Sequence, residues 1–293
     1  MKIYFHEYKL SQRKGALLKI DFRDGSTGYA DCHPWPELGD LPLEQQLARL
    51  GRGQATSLTR QSLKLAEIDA EGRAAGKNLL SPLTIPKSHY LLLNLGVSSK
   101  LEVEQALEEG FTHFKVKVGT DFSDEMHFLE PLLEIPNALW RLDFNNRLKV
   151  DDLPFLEAAN VSSIEFIEDP FPYDSSWSEF PLPIALDRQA DGHEDFYRYK
   201  VFKPSVEDFK ETRKPLVVTS NLGHPLGQAA DAYIAGKLND DYNVGICGLL
   251  SHRVYSRNLF SEQLSWRGAE WKSPEGTGFG FDELLHTTTW CRL

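Results

Sequence analysis

The sequence is poor in several features that would assign it to other classes of protein. Its three cysteines, Cys32, Cys247 and Cys291, are far apart and odd in number, which is typical of reduced thiols rather than of a disulfide or zinc framework. It has no basic cluster and a net charge of −11, so nucleic acid and anionic membranes, which attract positive surfaces, are not expected partners. It has no apolar run near the ~18–20 residues that span a bilayer, and its short, charged N-terminus lacks a signal peptide's apolar stretch. We therefore expect a cytoplasmic protein.

What the sequence does have is enough apolar residues for a full core, since 41% of its 293 residues are hydrophobic. It contains no internal repeat and no low-complexity tract. This composition favours a soluble enzyme with one large domain and a smaller one.

The first 86 residues read as the smaller, α+β unit. Residues 2–10, 16–22 and 28–32 are strand-like and are punctuated by the turn at 24–28, which predicts a three-stranded antiparallel meander. Apolar periodicity predicts helices at 43–50 and 61–75, the second ending at Gly76. The glycine-rich loop at 273–280 is expected to return the chain, so that residues 270–293 pack back on this unit.

From residue 87 to 269 strands and helices alternate, which favours a (β/α)₈-type barrel over a doubly wound sheet. Strands are predicted at 90–93, 114–118, 140–144, 164–167, 184–186, 199–202, 216–219 and 244–247. Helices are predicted at 99–110, 122–133, 150–158 and 225–238. Some connections are short, notably 187–199.

Three consecutive strands of this barrel end in a carboxylate. Asp143, Glu168 and Asp187 close the strand-like segments that begin at residues 140, 164 and 184. Active sites of such barrels lie at the C-terminal ends of the strands, and hard oxygen ligands suit Mg²⁺ or Mn²⁺. The order therefore predicts one divalent-cation site, typical of a metal-dependent lyase or isomerase.

Lysines flank these carboxylates on the neighbouring strands. Lys115 and Lys117 lie on one side of their strand because side chains alternate, and Lys203 ends a later strand. A lysine is a poor base at its ordinary pKa of about 10.4. Mutual repulsion, a nearby metal and partial desolvation all lower that pKa, which makes one of the paired lysines a candidate base.

Each element also has a plain structural interpretation. A single carboxylate at a strand end is often a helix cap or turn residue, and a lysine pair on a strand is often a solvated edge. The ordered set of all six residues over five consecutive strands favours the functional interpretation. Asp169, directly after Glu168, is a candidate for orienting a metal ligand.

With these motifs the sequence resembles the enolase superfamily, in its muconate-lactonizing subgroup, over almost the whole chain. The resemblance implies an α/β fold: a (β/α)₇β TIM-like barrel with an N-terminal α+β capping domain. It implies Mg²⁺, with Mn²⁺ as the alternative ion, on the three carboxylates. It also implies that Lys117 is an acid/base group, that Lys203 faces it across the substrate, and that Lys115 assists by touching a metal-bound carboxylate and lowering the pKa of Lys117. Where many relatives have Asp-Glu-Ser, this chain has Asp187-Arg188-Gln189.

Within that subgroup the chain is most similar to enzymes that dehydrate 2-succinyl-6-hydroxy-2,4-cyclohexadiene-1-carboxylate in menaquinone biosynthesis. The similarity rests on the short connections, the loop at 28–36, the Ile-Glu-Asp-Pro motif and the segment 219–223. It implies a small carboxylate as the partner. Lys115, Asn145, Ser220 and Asn221 are the candidate substrate-binding residues, and a loop around His33, Trp35 and Pro36 is expected to close over the site.

Three other interpretations remain open. An N-acylamino acid racemase would use the same residues, with both lysines exchanging the α proton. A dipeptide epimerase usually carries Asp-x-Asp on the eighth strand, whereas residues 244–249 contain no carboxylate. A noncatalytic scaffold would have no use for several buried charges that cost stability.

Overall fold

The first 32 residues form three antiparallel strands, as the alternating pattern predicts. In the computed structural model, which describes residues 1–158, 161–173, 175–187 and 196–293, these strands are β1 (Lys2–Leu10), β2 (Arg13–Asp21) and β3 (Thr27–Cys32). A short C-terminal strand, Cys291–Arg292, pairs antiparallel with β1. The predicted meander is therefore confirmed, and the end of the chain lies on its outer edge.

Two helices cover this sheet: α1 (Leu43–Gly51) and α2 (Ser57–Ala74). Helix α2 begins one turn earlier than predicted because the Thr56 hydroxyl accepts a hydrogen bond from the Thr59 N–H and caps the first turn. Gly28 on β3 allows α2 to approach closely, since a Cβ there would lie 1.9 Å from the Ala66 carbonyl oxygen.

The next seven strands form one parallel sheet in sequence order. They are β4 (Tyr90–Leu92), β5 (His113–Lys117), β6 (Leu139–Asp143), β7 (Ile164–Glu168), β8 (Ile184–Leu186), β9 (Tyr199–Phe202) and β10 (Leu216–Val218). Each lies within one or two residues of its predicted position. The mostly apolar character of these short strands suits a parallel sheet that is covered by packed side chains on both faces.

The eighth strand was predicted at 244–247, but these residues do not form a regular strand. Residues 244–248 bridge to β10 through Leu216–Val244 and Thr219–Gly248, and to the residues before β4 through Ser88–Cys247. The segment therefore closes the barrel with isolated bridges instead of a regular ladder. It contains Gly245 and Gly248, and glycine weakens regular strands.

The later helices are α3 (Ser99–Glu108), α4 (Phe122–Leu133), α5 (Leu153–Ala158), α6 (Pro225–Leu238), α7 (Leu259–Gln263) and α8 (Asp282–Thr287). Helices α3 to α6 lie at the four predicted places, although α5 begins three residues later than predicted, whereas α7 and α8 were not predicted. Single 3₁₀ turns lie at Pro36–Leu38, Val150–Asp152, Val161–Ser163, Ser175–Glu179 and Ser251–Val254. The hairpin β11 (Ser265–Arg267) and β12 (Glu270–Lys272) precedes α8, so Cys291–Arg292 is β13.

The core extends across the junction between the N-terminal unit and the barrel. Leu17 and Leu18 of β2 belong to the same buried cluster as Leu226 and Ala229 of α6. A second cluster lies between the parallel sheet and helices α3 and α4. The proposed domain limits, 1–86, 87–269 and 270–293, stay predictions. None of the helices in the described parts of the chain is long and apolar enough to cross a membrane.

Candidate active site

Two of the predicted metal ligands are the last residues of adjacent strands. Asp143 ends β6 and Glu168 ends β7, and the two residues pair in the ladder. Lys117, which ends β5, pairs with Asp143 in the same way. Register alone therefore places these three residues in one layer at the C-terminal end of the barrel. Both carboxylates are buried.

Lys115 links the two carboxylates from one layer below. Its Nζ lies 2.9 Å from Asp143 Oδ2 and 2.7 Å from Glu168 Oε1. Burial opposes its charge, but the carboxylates of Asp143, Glu168 and Asp187 raise the Lys115 pKa above its ordinary value. The surrounding carboxylates therefore keep Lys115 in its charged form.

Both of the other predicted ligands influence the charge state of Glu168. The pKa of Glu168 is raised to about 7, chiefly by burial and also by the charges of Asp143 and Asp187, while Lys115 and Lys203 act in the opposite direction. Negative charge thus converges here without being fully offset.

Asp187 lies one residue beyond β8, and its carboxylate forms an ion pair with Lys203. Its backbone N–H donates to Asp169 Oδ1 at 3.1 Å. Asp169 therefore orients the predicted third ligand, as its position after Glu168 indicated. Residues Arg188 and Gln189, where the chain departs from many relatives, lie outside the described residues.

The donor chemistry at this site fits a divalent cation, although the ligands are not gathered around one point. Within the described ranges, no three acidic, histidine or cysteine side chains form a ready ligand group. Lys115 holds two carboxylates and Lys203 holds the third. Three hard oxygen ligands that repel one another in a buried site suit Mg²⁺ or Mn²⁺. Binding would require Asp187 to exchange Lys203 for the ion.

Lys117 lies at the exposed mouth of the barrel, next to this layer. Its pKa is lowered, chiefly by the protein atoms that withdraw its ammonium group from water and then by the charges of Lys115 and Lys203, while Asp143 and Glu168 act in the opposite direction. The predicted repulsion between the paired lysines is present, but desolvation is the larger cause. Of the two, Lys117 has the properties of a base.

A loop from the N-terminal unit reaches over Lys117. The ring centroid of Trp35 lies 6.0 Å from Lys117 Nζ, and the Arg13 guanidinium stacks 3.4 Å from the same ring. Trp35 Nε1 donates to the backbone oxygen of Asn221 at 2.9 Å. In turn, Asn221 Nδ2 donates to the His33 backbone oxygen at 2.9 Å. The predicted capping loop is therefore docked on the segment that follows β10.

These contacts change the interpretation of the predicted substrate-binding residues. Asn221 already uses its side-chain amide to hold the capping loop, and the Ser220 hydroxyl bonds that of Ser251. Asn145 donates to Asp143 Oδ1 at 2.7 Å from a left-handed backbone conformation (φ 47°). Their substrate contacts stay predictions. The observed bonds make Asn145 a positioning residue for Asp143 and Asn221 an anchor of the capping loop.

Sequence reasoning missed a buried carboxylate that joins the N-terminal unit to the barrel. Asp31 accepts from the Tyr8 hydroxyl at 2.5 Å and from the His224 N–H, at the start of α6, at 2.8 Å. A Cβ on Gly227 would lie 2.7 Å from Asp31 Oδ2. Burial raises the Asp31 pKa to about 7. No local pattern marks a contact between residues almost 200 positions apart.

Comparison with known proteins assigns the chain to a family. The family model "O-succinylbenzoate synthase, N-terminal domain" matches residues 3–72. An o-succinylbenzoate synthase from Bdellovibrio bacteriovorus is 35% identical, over 96% of this chain and 92% of the relative. The chain belongs to the o-succinylbenzoate synthase family. This confirms the predicted family and its enzyme class, a lyase.

Two further similarities concern the fold and the racemase interpretation. A mandelate racemase/muconate lactonizing enzyme from Roseovarius nubinhibens, described as a complex with magnesium, has a TM-score of 0.76 at 16% identity and covers 99% of this chain and 98% of its own. At that identity the likeness shows the fold alone, which confirms the capped barrel. An N-succinylamino acid racemase from Thermus thermophilus is 26% identical, over 53% of this chain and 45% of its own.

Proposed function

We propose that the chain is a Mg²⁺-dependent o-succinylbenzoate synthase. The reaction is the syn elimination of water from 2-succinyl-6-hydroxy-2,4-cyclohexadiene-1-carboxylate, which forms 2-succinylbenzoate. The observation that carries the proposal is the layer of Lys117, Asp143 and Glu168 with Lys115 beneath it, in a chain that belongs to this family over nearly its full length.

Lys117 takes the proton α to the ring carboxylate. The C–H electron pair enters the ring and the C–O bond to the hydroxyl group breaks, which makes the ring aromatic. The same ammonium group returns its proton to the leaving hydroxide on the same face, so water departs and Lys117 is restored. Its lowered pKa increases the fraction of neutral amine near neutral pH.

The other charged groups stabilise the negative charge that proton removal creates. When bound by Asp143, Glu168 and Asp187, Mg²⁺ would offset the added charge on the substrate carboxylate. Lys115 keeps Asp143 and Glu168 in place through its two ion pairs. Lys203 contributes a cation from the opposite face of the substrate.

Trp35 and its loop close the site from the N-terminal unit. The indole ring is buried and near Lys117, where it limits the access of water to the reacting ring. A small carboxylate is the partner that this lysine-rich site favours. We place the reaction in menaquinone biosynthesis in the cytoplasm, with residues 1–86 and 270–293 as the capping domain and 87–269 as the barrel.

An N-acylamino acid racemase is the second candidate. The partial similarity to the Thermus enzyme favours it, as does the presence of Lys117 and Lys203 in one electrostatic site. A dipeptide epimerase has less support, because residues 244–249 supply no carboxylate for a substrate ammonium group.

The test is a side-by-side assay of the purified protein with the cyclohexadiene substrate and with an N-succinyl amino acid. We expect dehydration to dominate, to stop after chelation, and to return with Mg²⁺ or Mn²⁺. Efficient racemisation without dehydration would assign the chain to the second candidate. Full dehydration by metal-free protein would refute the metal site.

A further inference from the structure

The third predicted ligand, Asp187, is held differently from the other two. Asp143 and Glu168 lie inside ladders that fix their backbones. Strand β8 has three residues, and its pairing with β9 ends at Leu186. Asp187 therefore lies just beyond the parallel sheet, where the regular ladder no longer fixes the direction of a side chain.

Charged side chains hold the Asp187 backbone at this point. Its N–H donates to Asp169 Oδ1 at 3.1 Å, and its carbonyl oxygen accepts from Lys200 Nζ at 2.8 Å. Lys200 lies on β9, one strand away, opposite Leu186 in the ladder. The two peptide groups of Asp187 are thus fixed from both neighbouring strands, which leaves its carboxylate directed toward Lys203 and the site.

Lys200 is an unusual residue for this place because it is 9% exposed. A buried ammonium group is costly unless it is paired and hydrogen-bonded. Here Glu207 Oε1 lies 3.4 Å from its Nζ and balances the charge. The Glu207 N–H donates to the Lys203 carbonyl at 3.1 Å, so Lys200, Glu207 and Lys203 form one unit at the end of β9.

We propose that Lys200, backed by Glu207, is a positioning residue that fixes the Asp187 peptide so that the Asp187 carboxylate reaches the divalent cation. The proposal rests on the metal site of the proposed function. Lys200 touches neither the cation nor the substrate; it acts through the backbone of one ligand. Partners that orient a metal ligand typically change metal affinity 10–100-fold when they are removed.

The test is Mn²⁺ titration of the full-length protein without substrate, with free Mn²⁺ followed by electron paramagnetic resonance. We expect Lys200→Met to weaken Mn²⁺ binding about 10–100-fold and Lys200→Arg, which keeps a donor, to recover part of the loss. Lys214→Met is the matched control, because Lys214 Nζ also donates to a backbone carbonyl, that of Tyr197 at 2.8 Å, away from the carboxylates. Its Mn²⁺ affinity should equal that of the wild type.

Glu207→Gln supplies a second variant that keeps the inference testable if Lys200→Met does not fold. It leaves Lys200 in place without its counter-charge and should weaken Mn²⁺ binding several-fold. Wild-type affinity in a folded Lys200→Met, or in Glu207→Gln where only that variant folds, would overturn the inference. A wild-type protein that binds no Mn²⁺ would instead overturn the metal site of the proposed function, and this inference with it.

Discussion

Replacing Lys115 by methionine removes one cation from between two buried carboxylates. The substitution keeps the length of the side chain but loses both contacts, at 2.9 Å to Asp143 and 2.7 Å to Glu168. Breaking a buried ion pair by removing one partner costs about 3–5 kcal/mol, because the remaining charge stays buried. At roughly 2–4 °C per kcal/mol, the Tm of the metal-free protein should fall by roughly 10 °C.

Bound Mg²⁺ changes this result in a way that tests the site. A cation held by Asp143 and Glu168 replaces the lost charge, so saturating Mg²⁺ should reduce the stability deficit of Lys115→Met, while activity stays severely impaired. Binding to the folded state stabilises it by mass action. The assay is thermal unfolding of both proteins in chelator and in Mg²⁺, with dehydration measured in parallel.

The effect of pH on the stability deficit of Lys115→Met follows from the pKa values of Lys115 and its partners. A lysine whose pKa is higher in the folded state contributes its full stability below its ordinary pKa of about 10.4 and loses it only above that value. Lys115 itself therefore adds no pH dependence between about pH 6 and pH 9. Loss of its charge raises the pKa of Glu168 further above about 7, so the deficit should grow as the pH rises through this range. Lys14→Met is the control, since its pair with Glu44 is exposed and worth under about 1 kcal/mol. The role of Lys115 between the two carboxylates would be refuted if Lys115→Met lost no more stability than Lys14→Met, or if Mg²⁺ left its stability deficit unchanged.

Three other predictions concern proton transfer, the junction between the N-terminal unit and the barrel, and pH. Lys203→Arg keeps the charge but has a pKa too high for proton exchange, so it should retain more dehydration than Lys203→Ala and show no α-proton exchange of N-acylamino acids in D₂O; exchange by the arginine variant would contradict this. Gly227→Ala pushes a methyl group to 2.7 Å from Asp31 Oδ2, so it should lower the unfolding free energy by about 1–3 kcal/mol and raise KM. The control is Gly96→Ala, which has open space around it and should be near neutral in the same thermal and kinetic assays. Burial raises the pKa of Asp31 to about 7 and of Asp231 to about 8, so in the folded state these two groups hold protons that they release on unfolding, and their contribution to the unfolding free energy should fall as pH rises from about 4 to about 8. Asp231→Asn should flatten that fall in denaturant titrations at several pH values, and an unchanged slope would contradict the buried-carboxylate origin.

Much of the barrel end could be predicted because its information is local. Strand periodicity and strand ends placed Asp143 and Glu168 within a residue of where the ladder holds them. Alternation along a strand placed Lys115 and Lys117 on one face, and their different surroundings then assigned opposite pKa shifts to them.

The parts that could not be predicted depend on contacts between distant segments. Asn221 looked available for a substrate, but it holds His33, which is 188 positions earlier in the chain. The bond between Asp31 and His224 likewise joins two units that show no shared pattern. The isolated bridges of residues 244–248 depend on how the barrel closes, which strand propensity does not describe.

The most direct test of the account measures conversion of the cyclohexadiene substrate to 2-succinylbenzoate by the wild type and by Lys117→Ala, both purified free of contaminating enzyme and assayed with saturating Mg²⁺. The account predicts rapid conversion by the wild type and a loss on the order of 10³-fold or more in the variant, because no other described group at the barrel mouth combines a lowered lysine pKa with this position. Equal conversion by the two proteins would contradict the account.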